Sequence, residues 1–389
     1  AGLITTIPLL AGSVLQLVSP AAIRYLGSHR RWVVMCAVLQ ALSFLPLSAA
    51  ALAGEMSTIA VFAVVAVYWG AGLGISAAWN TWVDTLVPSR IRAPYFARRT
   101  RAGQLALLLG FVGGGVSLQA GAWADKRLLV FGLLFLSAAI CRFASAGFLA
   151  SQSEPVPRRD GQRQVSMREF FARFRNANDG RLLLYLLSVQ AAAQIAGPYF
   201  TSFMLGPMRL SYASYVTLIG VSFAAKAFSL PALGRFASRF GARKLLWLGG
   251  LGIVPISALW VISHEFAFLL FVQVLSGVTW AAYELAMLLL FFETIRPEER
   301  TSVLTTFNFA NSVATAAGSL LGGALLAYGG KTEQTYLLLF ALSSAARLAT
   351  LIGLARVPNF SRAEHDSAVP MLPIQPNAQS GRVDARRAA

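Results

Sequence analysis

Residues 266–291 read F-A-F-L-L-F-V-Q-V-L-S-G-V-T-W-A-A-Y-E-L-A-M-L-L-L-F, twenty-six residues with a single charge, Glu284. A helix needs about 20 largely apolar residues to cross a bilayer, so this run reads as a membrane span. Immediately after it comes E-T-I-R-P (Glu293–Pro297) and then a basic patch. The same order occurs upstream, where the apolar run 59–82 is followed by D-T-L-V-P (Asp84–Pro88) and the arginines 90 to 101.

Working outward, nine more apolar runs are found, at 2–22, 32–53, 102–122, 128–150, 182–205, 212–233, 245–263, 303–327 and 335–355. Composition agrees. Of 389 residues 56% are hydrophobic and only 13% charged, about half the charge of a soluble globular chain. A soluble enzyme, a disordered chain and a disulfide scaffold are excluded on that ground. The two cysteines, Cys36 and Cys141, sit in apolar runs and form neither a disulfide framework nor a metal spacing.

The net charge of +17 would suggest nucleic acid in a soluble protein. Here the basic residues cluster in alternate loops: Arg24, Arg30 and Arg31; then 90 to 101; then 158 to 181; then Arg235, Arg239, Arg243 and Lys244; then Arg296 and Arg300. The other loops hold only Lys126, Arg127, Arg209 and Lys331. The positive-inside rule makes the first set cytoplasmic, with the C-terminus on that side. The expected protein is a multi-pass cell-membrane protein that does not bind nucleic acid.

Internal similarity organises the spans. Besides the pair D-T-L-V-P and E-T-I-R-P, Gly110 and Gly114 recur as Gly318 and Gly322, and L-S-A-A-I-C-R-F-A-S (Leu136–Ser145) recurs as L-S-S-A-A-R-L-A-T (Leu342–Thr350). Basic turns at Gly27 and Gly241 repeat as well. Such self-similarity at one offset marks two homologous halves. The run 182–205 has no partner inside the sequence, and an odd span count puts Ala1 on the outside. Both expect a further span ahead of residue 1, so the eleven runs are counted as helices 2–12 of a six-plus-six repeat. The expected organisation is an N-terminal transmembrane half, 1–150; a cytoplasmic linker, 151–181; a C-terminal half, 182–357; and a disordered tail, 358–389. In the linker, Ser166 and Glu169 form a capping-box pattern. Met167, Phe170, Phe171 and Phe174 make an apolar stripe against arginines, the pattern of a helix lying on anionic headgroups.

The basic loop Gly234–Lys244, G-R-F-A-S-R-F-G-A-R-K, matches G-x-x-x-D-R-x-G-R-[RK] at its first Gly, at Arg239, at Gly241 and at the terminal basics, with Ser238 in the Asp position. Pro20–Arg31 is a more degenerate copy. With the two-half layout, the chain resembles the major facilitator superfamily of secondary transporters over about residues 1–356. The segment W-x-x-W-x-D-x-L-V-P-x-x-x-R-x-x-Y-F-x-R-R (Trp79–Arg99) is similar to a bacterial branch of it, which implies an inner-membrane setting. The resemblance implies an all-α fold of two pseudo-symmetric six-helix halves, with 11 of 12 helices present. It also implies alternating access to a small solute and no cofactor; a monomer is expected.

Two intramembrane charges lack a mate in the other half, Lys226 and Glu284. Each lies nine residues from the basic end of its span, about 13 Å deep at 1.5 Å per residue. Charge at that depth needs a partner or a wet cavity, which leaves two readings open: a static ion pair, or part of a substrate or proton site. Gln190 and Gln194 share a face of the span that also holds Pro198. The resemblance puts that helix on the central cavity, where Asn308, Asn311, Tyr283, Trp69 and Asn80 can join it; plain interhelical hydrogen bonding competes for each. The glycines 110 to 115 and 318 to 323 read either as tight packing or as a sliding surface between halves. Arg142 and Arg347 are repeat mates read as structural. Asp84 and Glu293, with Arg239, Arg243 and Lys244, are candidates for gating contacts at the basic face. His29, His264 and His365 are far apart, and no phosphate loop or metal motif is present. The remaining contest is between a transporter, with proton coupling through Glu284 as an open branch, and a transporter-like scaffold or sensor that moves nothing.

Overall fold

The computed structural model describes residues 2–154 and 163–357. The tail expected at 358–389 and part of the expected linker lie outside the described residues. Among the described residues, eleven helices are long and apolar enough to cross a membrane. In chain order, α1 is Thr6–Leu26, α2 His29–Ala53, α3 Thr58–Leu86, α4 Ser89–Trp123 and α5 Arg127–Ser151. The linker helix α6 is Met167–Asn176. Then come α7 Asp179–Leu205, α8 Tyr212–Phe240, α9 Ala242–Ile262, α10 Phe266–Thr294, α11 Arg300–Tyr328 and α12 Glu333–Ala355.

Several helices outrun the apolar segments that announce them. The run at 102–122 belongs to a helix that begins at Ser89, and the run at 212–233 to one that ends at Phe240. Hydropathy drops where Arg and Lys begin, but the backbone hydrogen bonds of a helix continue into water at no penalty. The ends are set by capping. Ser28, Ser57, Ser211 and Thr332 each accept a backbone N–H from the first turn of α2, α3, α8 and α12. The two basic turns of the repeat end on Gly27 and Gly241, at φ of +64° and +90°. That left-handed region favours glycine, which explains its retention in both copies of the turn.

The two halves are not packed alike. In the second, α11 lies against α7: a Cβ added at Gly318 would sit 2.2 Å from the Ala191 carbonyl oxygen, and one at Gly322 would sit 2.1 Å from that of Ile195. The glycines therefore let two backbones touch. Their repeat mates Gly110 and Gly114, on α4, have no atom within 4 Å of such a Cβ. Accordingly 33% of the most apolar window of α11 is buried, against 6% for α4.

The linker helix differs from the expected stripe. Phe170 is fully buried in protein while Met167 and Phe171 stay exposed, so α6 is docked as well as amphipathic. Ser166 caps it by accepting the Glu169 N–H, but the Glu169 carboxylate turns to Arg163 and Arg173. Only half of the capping box forms, because two guanidinium groups outcompete one backbone N–H for a carboxylate.

Candidate functional site

Helix α11 begins at the basic end and packs on α1 and α3 of the first half, while α8 packs on α4. The first residue of α11, Arg300, is almost fully buried, and its guanidinium donates to Asp84 of α3, Nη1 to Oδ2, at 2.5 Å. The Arg300 Nη2 also donates to the carbonyls of Phe292 and Ile295, at 3.2 and 3.0 Å. Asp84 pairs in addition with Arg92 of α4. Above this contact Thr301 donates to Thr81 at 2.8 Å, His29 meets Thr301 at 3.2 Å, and the Gln16 amide donates to the Thr305 carbonyl at 2.8 Å. Phe96 of α4 stacks on Phe292 of α10 with ring centroids 5.1 Å apart. Asn308 also donates to the Leu73 carbonyl across the halves, at 3.4 Å.

Against that seal the halves line a cavity of about 640 Å³. From the second half its lining includes Gln190, Tyr283, Glu284, Asn308 and Asn311; from the first come Trp79, Asn80, Arg99 and Arg142. Glu284 forms an ion pair with Lys226, Oε2 to Nζ at 2.5 Å. The two partners are placed unequally. Glu284 is 40% exposed, on the cavity wall, and Lys226 only 13%. Lys226 stands behind the carboxylate and supports it from α8.

Other candidate residues are distributed differently. The Gln190 side chain donates to Thr315 on α11 at 2.9 Å, so it serves packing as well as the lining. Gln194 lies outside the cavity, against Gly197 and Gly318. Trp69 is also outside it and packs on Gly12 and Tyr68. The helix containing Pro198 tightens into a 3-10 turn at Gly197–Tyr199, and the Tyr199 hydroxyl donates to the Ser319 carbonyl at 2.5 Å. Arg243 does not cross between halves: it donates to the Val357 carbonyl at 2.7 Å, within its own half. Arg239 and Lys244 lie over the Phe240 ring. These three brace the turn instead of bridging the halves. Glu293 is exposed.

The buried carboxylate of that loop is Glu299, held by Arg173 at 2.6 Å and Arg163 at 2.8 Å. Burial pushes its carboxyl pKa up, but the hydrogen bonds and charges of Arg173 and Arg163 outweigh burial and hold it below the ordinary value.

Arg300 was not singled out in the sequence, yet the repeat contains its signal. It stands 208 residues after Arg92, the offset that relates Gly110 to Gly318. The two repeat-mate arginines thus grip the same acid, Asp84. Arg142 and Arg347 share a repeat position but not an environment. Arg347 is buried and donates to the Ile253 carbonyl at 3.0 Å, as a structural residue would, whereas Arg142 lines the cavity.

No curated protein matches the chain. The human organic anion transporter MFSD10 (TETRAN) superposes with a TM-score of 0.68 at 16% identity, over 91% of this chain and 83% of that one. The proton:xylose symporter XylE gives 0.69 at 15% identity, over 92% and 86%. The E. coli fucose:proton symporter FucP gives 0.69 at 13% identity, over 92% and 91%. At these identities the likeness is one of fold. A family model described as Major Facilitator Superfamily matches residues 182–376, half of the sequence. With eleven spans among the described residues, in two pseudo-symmetric halves around a central cavity, the chain belongs to the major facilitator superfamily of membrane transporters.

Proposed function

We propose that this protein is a secondary active transporter that carries a small solute across a cell membrane by alternating access. The observation that carries the reading is the central cavity with a charged pair on its wall and a seal on one side of it. A cavity between two halves, closed at one end by contacts that belong to the interface, is what rocking of the halves would open and close. The positive-inside rule makes the sealed end cytoplasmic. In this reading the structure is a state closed at the cytoplasmic end, the C-terminus lies inside, and the exposed face of α6 rests on anionic headgroups.

Glu284 is the candidate proton carrier. A proton on its carboxylate removes the charge that holds Lys226 and frees that cation for a solute or for the other half. Coupling then needs no second acidic site. The test uses the full-length protein in proteoliposomes, with uptake of a solute panel driven by an imposed pH gradient. For any solute found, Glu284→Gln is expected to keep exchange at zero gradient and to abolish accumulation against it. Accumulation unchanged in Glu284→Gln would end the coupling role. Failure of every solute to cross or exchange would favour the scaffold reading.

A further inference from the structure

The start of α11 holds two bodies at once. Glu299 and Ser302, three residues apart and so on one face of the turn, hold the linker. The Glu299 carboxylate accepts from Arg173 at 2.6 Å and from Arg163 at 2.8 Å. The Ser302 hydroxyl accepts the Val165 N–H at 3.0 Å and donates to the Val165 carbonyl at 3.3 Å. Between them in sequence, Arg300 and Thr301 hold the first half, through Asp84 at 2.5 Å and Thr81 at 2.8 Å. All four residues are buried. A helical turn moves as a unit, so the linker's grip on Glu299 and Ser302 also fixes the place from which Arg300 reaches Asp84. A shift of about 1 Å takes a contact of this length to the limit of a hydrogen bond.

The grip runs through α6. Its Arg173 also pairs with Asp179 at the start of α7, at 2.9 Å, and an added Cβ at Gly180 would collide with the Arg173 carbonyl oxygen, so the two helices touch there. At about 100° per residue the docking side chains Glu169, Phe170 and Arg173 span an arc of about 100° on α6. Met167, Arg168, Phe171 and Arg175 span a second arc of about the same width on nearly the opposite side, and all four are exposed. Helix α6 ends at Asn176 and the span α7 begins at Asp179, which puts this outer face at the level where the bilayer begins. Two arginines beside two large apolar side chains at that level fit the boundary between acyl chains and anionic headgroups.

Building on the transporter reading and its placement of α6 on headgroups, we infer that anionic lipid is a regulatory ligand of the cytoplasmic seal. Headgroups held by Arg168 and Arg175 keep α6 docked on Glu299, and docked α6 keeps Arg300 on Asp84. The seal therefore closes more firmly on an anionic surface than on a zwitterionic one. Because Arg168 and Arg175 stand on the face of α6 turned away from the latch, the lipid acts on the seal through the docked face.

The experiment uses the full-length protein in nanodiscs of phosphatidylcholine, or with a third of that lipid replaced by phosphatidylglycerol. Cys36 and Cys141 are replaced and Ala97→Cys, buried at the seal, is the reporter. Two quantities are read: the rate of its reaction with a water-soluble maleimide, and hydrogen exchange of the amides of 167–176. Phosphatidylglycerol should slow the labelling about fivefold or more, as the attraction of basic side chains to an anionic surface allows, and should slow the exchange with it. Arg168→Gln/Arg175→Gln should label in both lipids at the rate found in phosphatidylcholine alone. Glu299→Gln should label fast in both. The lipid effect on the reporter protein itself does not depend on how the further variants fold.

Exchange that responds to lipid while labelling does not would overturn the inference and leave α6 on the headgroups. Exchange and labelling both indifferent to lipid would overturn the inference and that placement together. A lipid effect undiminished in folded Arg168→Gln/Arg175→Gln, or slow labelling in Glu299→Gln with α6 undocked, would also overturn the inference. Lipid-dependent labelling in a protein that exchanges no solute in proteoliposomes would support the inference and count against the transporter reading.

Discussion

Arg300 on α11 reaches Asp84 on α3 across the boundary between the halves, at 2.5 Å, with the guanidinium 1% exposed. A buried pair of this kind is weak evidence for overall stability, but breaking it by removing one partner leaves an uncompensated charge worth about 3–5 kcal/mol. The contact therefore acts as a latch on the basic end. Asp84→Asn strands both Arg300 and Arg92. A cysteine introduced at the buried Ala97 should then react with a water-soluble maleimide much faster than in the parent, as the sealed end opens. An unchanged labelling rate would mean that the pair does not hold the seal.

The pair Lys226–Glu284 makes a different demand, since its acid faces a cavity and its base does not. Glu284→Gln should lower the melting temperature of the purified protein more than Lys226→Met, because it strands the mostly buried lysine without a counter-charge, whereas the carboxylate left by Lys226→Met still faces the cavity. The double variant should recover most of the loss, as replacing both members of a pair by neutral groups often does. Additive losses would rule out direct coupling between the two.

Glu299 fixes the sign of an acid dependence. Its carboxyl pKa is lowered in the folded protein relative to its ordinary 4.5, because two arginines outweigh the effect of burial. A lowered carboxyl pKa stabilises the folded state above the ordinary value, and that stabilisation is lost as pH falls through the lowered one. Docking of α6 should accordingly hold at neutral pH and weaken below about pH 4.5. Hydrogen exchange of the amides of 167–176 reads this directly. Glu299→Gln should raise that exchange already at pH 7, by the loss of a charge-assisted bond worth about 1.5–3 kcal/mol, and should flatten the acid response.

The glycines of α11 offer a packing test. Gly318→Ala puts a Cβ 2.2 Å from a backbone oxygen of α7, which no side-chain rotation relieves, so α7 and α11 must separate. In the 389-residue chain Gly110→Ala meets nothing within 4 Å and should be silent. Comparable melting temperatures for the two variants would contradict the asymmetry between the halves.

Much of this could be read from residues alone, for a physical reason. Hydropathy reports which segments enter lipid, charge reports which ends stay in water, and self-similarity reports the two halves. Distance along a helix also reports depth, which is why Lys226 and Glu284 were candidates for one another. Azimuth is what a sequence conceals. Trp69 and Asn80 lie on one helix, yet only Asn80 faces the cavity, and the choice depends on how α3 packs on its neighbours. Arg142 was grouped with Arg347 by repeat position, but α12 is flanked by α7 and α5 packs chiefly on α2. One arginine is therefore enclosed while the other opens to the cavity. Arg300 was hidden differently, since at the boundary between loop and helix a buried latch and a solvated arginine read alike.

The most direct measurement is a pair of distance distributions by double electron–electron resonance on full-length protein in lipid, with the native Cys36 and Cys141 replaced. One pair of labels, at Arg90 and Arg296, spans the halves at the basic end; the other, at Glu55 and Tyr212, spans them at the opposite end. Alternating access predicts that Asp84→Asn lengthens the first distance and shortens the second in the same population of molecules. A single fixed distribution at both ends, unmoved by Asp84→Asn and by Glu284→Gln, would contradict it.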